Sequence, residues 1–575
     1  MTQLGTAGGD RLRGTFSTRA DGRPGRATDD VAVWVEGRIH NSAEIRARLA
    51  GRGGGGRPSS GLRCLLRSLY LAHGVDFARG LDGEFAVVVA DRRGPRRLVA
   101  CTDRSGVRRL YYTWRPEEQR VRFATELPAL LGMAGVDVAE HEGALDAYLA
   151  AGAQLGEHTM FRGVKVLPPG AALLVSPDGP RLRTRPEEDT EPDRADLTRR
   201  PGARLRALLH EQLLGLPAAD PVAVITSGRP GADLLARVAA ASGRPFHVFH
   251  GGWPSAARGI AGVPRPGRTP RTTHHWVEVR PDTVPDRLWR PLGQLGQPHA
   301  DPELLLTHVL CGAAQEAGSR TIVAGGGGDE LFAGHPRVAD ALSAPAGLAW
   351  VPRYLDQLAA VPRALRTRLY TAEYASSLRR HGPALPAGLT ELLNDGEHGR
   401  ARRVLTAELR YVLPAQGLRV LPSLARSTPV LPYCRPSVVR LATSLADRDA
   451  TAPRPAQVLA EAARGLPLLG PPRPAPEIFS PELTRALVPG RPLGDLARDV
   501  LSDADLRADG RLRPDRVAAL FARQRMQPTA LVARTLWALL VHRLWRHRFF
   551  GPSRYPQDAG EASAASPLAP GPQRP

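Results

Sequence analysis

Between residues 31 and 185 apolar positions come in short runs that alternate with polar ones and break at glycine, proline and aspartate. The runs "VAVWVEGRIHN", "GEFAVVVADRRGPRRLVACTD" and "RLYYTWRPEEQRVRFATEL" read as strand pairs, because alternation with period two bounded by turn residues suits half-buried strands. Two segments differ: 61–73 ("GLRCLLRSLYLAH") and 142–152 repeat their apolar residues at helical spacing. A proline-glycine turn in "LPPGAALLVSPDG" closes the region, and 186–200 ("PEEDTEPDRADLTRR") is polar throughout and reads as a linker.

From residue 201 the pattern becomes helix, apolar strand, loop, helix, with strands expected at 222–226, 246–249, 275–279 and 321–324. Such alternation predicts a parallel sheet. Residues 350–550 read as mostly helical and end in "TALVARTLWALLVHRLWRHRFF". The tail, 551–575, is of low complexity and is expected to be disordered. No internal repeat is visible. The expectation is α/β in two domains, 1–185 and 201–550.

A chain of 575 residues exceeds what one ordinary core holds, in keeping with two domains. Its formal charge of +21 is almost all arginine, since Lys165 is the single lysine. Two readings of that charge stay open: a GC-rich coding bias, or a basic surface for nucleotide, acidic peptide or nucleic acid. No zinc-finger spacing, RNA-recognition signature or aromatic-basic interleaving is present, so nucleic acid is not an expected partner. Cys64, Cys101, Cys311 and Cys434 are scattered in apolar contexts, as reduced core thiols would be. Without a signal-type apolar start or a run long enough to span a bilayer, a cytoplasmic protein with no membrane partner is expected.

The strongest local chemistry lies in "TIVAGGGGDELFAGH" (321–335), where a strand meets four glycines and then Asp329-Glu330. Glycines allow backbone N–H groups close to phosphate oxygens, and adjacent carboxylates suit a magnesium ion on a polyphosphate. A glycine turn before a helix with acidic residues in its first turn explains the same letters. About a hundred residues earlier, "VAVITSGRPGADLLA" (222–236) has the outline of a nucleotide loop, with Arg229-Pro230 where glycines would be expected.

In series with "PFHVFHGG" (245–252) and "THHWVEVRP" (273–281), these segments resemble the C-terminal domain of asparagine synthetase and its relatives. The N-terminal segments "VEGRIHNSAEIRARL", "YLAHGVDFARGLDGEFAVVVADRR", "ACTDRSGVRRLYY", "FATELPALL" and "MFRGVKVLPPG" are similar to that family's glutaminase-type domain. The resemblance runs colinearly over residues 30–545. It implies an N-terminal Ntn-type αββα sandwich, then an ATP-pyrophosphatase-type parallel-sheet domain with a helical extension. Thr2 follows Met1 where the glutamine-hydrolysing members need a cysteine nucleophile, so glutamine hydrolysis is expected to be absent. "STPVLPYCRPSVVRLATSL" and the helices after it are similar to lasso-peptide cyclases. The implied reaction is ATP-dependent adenylation of an Asp or Glu side chain in a precursor peptide, then isopeptide closure with release of AMP and pyrophosphate. A leader-recognition protein and a leader protease would be its partners.

Carried over residue by residue, the resemblance puts Thr226, Ser227, Gly228 and Gly231 on the first nucleotide loop, with Val248 against adenine. It puts Ala324 and Gly325 on the second loop, Asp329 on magnesium, Glu330 beside it, and Arg473 as the cation for phosphate charge. Several positions depart from the family's pattern. Gly231 stands where its first magnesium-binding aspartate belongs, leaving Asp233 as the displaced substitute. Gly326 replaces a catalytic Glu or Tyr, and Arg435 an acidic residue. His299 and Asp301 in "QPHADPE" (297–303) either line the cleft or cap a helix. His274-His275 is not expected to bind metal, since no third ligand is near. An ordinary asparagine synthetase and a non-catalytic scaffold for peptide maturation are the competing readings.

Overall fold

A computed structural model describes residues 4–7, 11–19, 30–50, 61–183, 200–217, 221–254, 271–345, 349–424, 428–446, 455–469 and 479–551. The expected linker (186–199 of it), Arg473 and nearly all of the expected tail lie outside these residues. The chain forms two compact units, Met1–His141 with Gly156–Thr190, and Glu142–Leu155 with Glu191–Pro575.

The first unit is built from two antiparallel sheets. One takes strands β1 (Leu4–Ala7) and β2 (Arg11–Ser17), and the other is begun by β3 (Val31–Ile39). Helices α1 (Ser42–Ala50) and α2 (Leu62–His73) follow, then β4 (Gly83–Asp91), β5 (Arg97–Thr102), β6 (Tyr111–Arg115) and β7 (Arg120–Ala124). β8 (Lys165–Val166), β9 (Ala172–Ser176) and β10 (Gly179–Arg183) complete the two sheets, with β8 and β10 at edges, giving orders β1-β2-β7-β6-β8 and β10-β9-β5-β4-β3. Side chains alternate across a strand, and β4 shows what that does here. Phe85, Val87 and Val89 pack with α2 residues Leu65, Leu66 and Leu69, while Ala86, Val88 and Ala90 face Leu12, Phe16, Val121 and Phe123 of the other sheet. Both faces of β4 are therefore buried, which is why its sequence is a continuous apolar run.

The second unit opens with helix α3 (Ala144–Ala151), which coincides with the helical spacing at 142–152 but belongs to this unit and not to the expected 1–185 domain. Its ties run within this unit: Tyr148 OH donates to the Ala538 carbonyl (3.2 Å), and Asp146 accepts from Arg366 Nε (2.7 Å) and Tyr370 OH (2.6 Å). Helix α4 (Pro201–Leu214) precedes β11 (Val222–Thr226), α5 (Pro230–Ala241), β12 (Phe246–Gly252), β13 (Thr272–Glu278), helix α6 (Glu303–Glu316) and β14 (Thr321–Ala324). With β15 (Thr428–Val430) these strands make one parallel sheet of order β13-β12-β11-β14-β15. Leu205, Leu209 and Leu213 of α4, Leu234, Leu235 and Val238 of α5, and Val222, Val224 and Val323 share one buried cluster. The closing helix α7 (Ala530–Phe550) is buried almost all round, with Trp537 Nε1 donating to Ala300 O (2.9 Å) and Trp545 Nε1 to Gly296 O (3.0 Å). Among the described residues, no helix is long and apolar enough to cross a membrane.

Candidate functional site

Strand order turns at β11: the chain continues outward to β12 and β13 on one side, and β14 returns on the other. At such a switch point the loops leaving the carboxyl ends of neighbouring strands diverge and leave a crevice. Here the crevice encloses about 900 Å³, open solvent included, and is lined by Thr226, Ser227, Arg229, Ala324, Gly325, Asp329, Glu330 and the first turn of α6, among others.

The two loops meet backbone to backbone. A Cβ on Gly325 would lie 2.5 Å from Ala232 Cα, and one on Gly231 2.9 Å from Gly328 Cα. The glycines of "GGGGDE" thus let the second loop lie against the start of α5. Gly327 (φ 95°) reverses the chain into the short helix Gly328–Leu331. That approach puts Asp329 at the amino end of α5, where its Oδ1 accepts the Gly231 N–H (3.0 Å), and Tyr433 OH donates to the Gly231 carbonyl (2.7 Å). A carboxylate at a helix amino terminus is favoured by the unpaired N–H groups and the dipole. Gly334 leaves room for it, since a Cβ there would meet Asp329 Oδ1 at 2.2 Å. The neighbouring Ala333 is held at φ 54°, a left-handed conformation uncommon outside glycine.

The first loop is organised by Arg229. Its Nε pairs with Glu303 and its Nη2 lies 3.5 Å from Asp301, while the Ser227 hydroxyl donates to the other Glu303 oxygen. Asp301 Oδ1, one residue before the helix cap Pro302, accepts the Glu303 N–H (2.9 Å), so Asp301 both holds the start of α6 and lines the cleft. Burial opposes the charge on Arg229, but Glu303, Asp301, Asp329 and Glu330 together hold its guanidinium above the usual arginine range. Burial raises the pKa of Asp329 and Glu303 in turn, with Arg229 opposing in both. Glu330 is pushed up to about 7, by burial first and by Asp329 next. His299 is pushed down to about 4 by burial; it is neutral at pH 7, accepting the Asp301 N–H on Nδ1 and offering Nε2 to Gln416 O (3.3 Å). On the wall of the cleft, Arg337 grips the buried Glu408 with Nε (2.8 Å) and Nη2 (2.7 Å), and Tyr354 OH adds a third bond (2.8 Å).

The structure brings Thr226, Ser227, Ala324, Gly325, Asp329 and Glu330 into one lining, with His299 and Asp301. Gly228 (φ 86°) and Gly231 shape the first loop beside it. Val248 lies in the sheet core with Val224 and Phe246 and does not line the cleft. Asp233 does not line it either: its side chain is 46% exposed and sits 3.7 Å from Arg237. The expected magnesium pair of Asp329 and Asp233 is therefore not formed. The donor set does not fit a protein-held magnesium ion: one Asp329 oxygen is engaged by Gly231, and Glu303 and Asp301 face a guanidinium. No three His, Cys, Asp or Glu side chains among the described residues are placed to hold a metal. Glu303 and Arg337 line the cleft and were passed over in the sequence, Arg229 was noted only for standing where glycines were expected, and Glu408 is buried against Arg337. For Glu303 a signal was present, directly after His299 and Asp301 in "QPHADPE".

Residues 18–184 match the glutamine amidotransferase domain, and residues 234–547 match asparagine synthase. The second match begins just beyond the remodelled first loop. Among curated proteins, amidase chry2 of Gibberella zeae is 31% identical over 167 residues, 28% of this chain and 24% of that protein. Amidase chyE of Penicillium rubens is 26% identical over 302 residues, 48% of this chain and 44% of that protein. Asparagine synthetase [glutamine-hydrolyzing] 3 of Arabidopsis thaliana is 35% identical over 101 residues, 17% of this chain and 16% of that protein. Each match covers less than half the length of the relative. With the asparagine synthase match spanning more than half of the sequence, the chain belongs to the asparagine synthase family, whose members use ATP.

Proposed function

We propose that this protein is an ATP-dependent, AMP-forming carbon–nitrogen ligase that closes an isopeptide ring in a precursor peptide, as lasso-peptide cyclases do. The observation that carries the ligase reading is the cleft at the carboxyl ends of β11 and β14, with Ser227, Gly325, Asp329 and Glu330 converging on it. The finer reading rests on the similarity of the C-terminal third to lasso-peptide cyclases. A peptide carboxylate would attack the α-phosphorus of ATP and expel pyrophosphate; the peptide's own amine would then attack the acyl adenylate, and AMP and a proton would leave. Arg229 would meet phosphate charge. Glu330, with a pKa near the working pH, suits the base that takes the proton from the attacking amine. A leader-recognition protein and a leader protease would act with it in the cytoplasm.

A second reading, a non-catalytic scaffold, is favoured by the way Asp329 and Arg229 are engaged within the protein itself. Incubating purified protein with ATP, magnesium chloride and a candidate precursor peptide separates the two. The ligase reading expects AMP and a peptide lighter by one water. AMP no higher than that of Asp329→Ala would leave the scaffold.

A further inference from the structure

We propose that the Arg229 guanidinium is the resident cation of this cleft and stands in for a protein-bound divalent metal ion. Three observations converge on it. First, the position where a metal carboxylate would be sought on the first loop is closed to any side chain. A Cβ at Gly231 would lie 2.9 Å from Gly328 Cα and 3.2 Å from its carbonyl carbon, both backbone atoms with little room to move. Second, two residues earlier the same loop delivers a permanent positive charge among the carboxylates. Arg229 pairs with Glu303 and approaches Asp301 at 3.5 Å, while Asp329 and Glu330 line the same cleft and act on it electrostatically. Third, the carboxylates are held in place by other groups of the cleft. Ser227 fixes one oxygen of Glu303, the Glu303 N–H fixes Asp301, and the Gly231 N–H fixes Asp329.

An arginine in such a setting keeps its proton, and its planar fork, once paired with carboxylates, supplies positive charge that disfavours a second cation beside it. Divalent metals need carboxylate or phosphate oxygens that are free to converge. Here two of the cleft's carboxylates, Glu303 and Asp301, already share a counter-ion, and one oxygen of Asp329 is taken by the Gly231 N–H. The proposal concerns the charge of the cleft and does not depend on the ligase reading.

Titration of the full-length protein with Mn2+, followed by electron paramagnetic resonance, tests it without turnover. The wild type and Arg229→Lys are expected to leave the free-ion signal undiminished at submillimolar Mn2+. Arg229→Met, which frees the carboxylates, is expected to bind at least about tenfold tighter than wild type, and adding Glu303→Gln should abolish the gain. Wild-type binding that Glu303→Gln or Asp329→Asn removes would overturn the proposal. So would a natively folded Arg229→Met that gains nothing. Should Arg229→Met fail to fold, the wild-type titration decides alone: binding removed by Glu303→Gln or Asp329→Asn overturns the proposal, and an undiminished signal supports it.

Discussion

At the scale of single residues, the cleft is governed by where side chains are forbidden as much as by where they act. Gly231 and Gly325 hold two loops together by having no Cβ. Gly231→Asp would not restore a lost carboxylate; it is expected to force the loops apart and cost about 1–3 kcal/mol, as overpacking does, measurable by urea unfolding. An unchanged midpoint would mean that the loops do not touch. Glu330 carries a pH signature with a definite sign. Its carboxyl is raised from 4.5 to about 7, so the folded protein holds that proton more tightly than the unfolded chain. The stabilisation is full below pH 4.5 and is lost as pH rises through 7. Glu330→Gln should therefore raise Tm relative to wild type more at pH 8 than at pH 5; an equal effect at both would contradict the assigned shift. Asp329, Glu330 and the two loops were legible in the sequence because glycine runs beside carboxylates are a local pattern. Arg229 was visible only as an anomaly, since a lone loop arginine has no periodicity to reveal its partners.

At the scale of elements, the helix Pro336–Ser343 and the π-helical turn Glu408–Val412 are locked at the wall of the cleft by one buried ion pair. Arg337 and Glu408 are both almost wholly buried. Removing one partner strands the other charge, so Arg337→Met should destabilise by about 3–5 kcal/mol, and Arg337→Met with Glu408→Gln should recover part of it. A double variant no more stable than the single one would show that packing, not charge, dominates. These two residues are 71 apart in sequence and share no local pattern, so only the fold could pair them. Strands fared by their patterning. The apolar runs at 222–226 and 321–324 coincide with β11 and β14. β13 begins at Thr272, three residues before the expected 275, because "TTHH" is polar yet pairs in register with β12. β2 was passed over although its burial alternates along "RLRGTFS", its arginines masking the apolar face. β15 is three residues long and contains Pro429, which no strand pattern would single out.

At the scale of the molecule, the two family matches and the two compact units describe one arrangement, an antiparallel sandwich followed by a parallel-sheet domain. What the sequence left open was the state of the loop after β11, because that depends on backbone distances between segments about a hundred residues apart. The central claim is that the cleft at the ends of β11 and β14 receives ATP. Photolabelling the full-length protein with an azido-ATP, then mapping the modified peptides, tests this most directly. Labelling within residues 226–233 or 324–337 that excess ATP suppresses is the predicted result. Absence of ATP-suppressible labelling, or labelling confined to other segments, would contradict it.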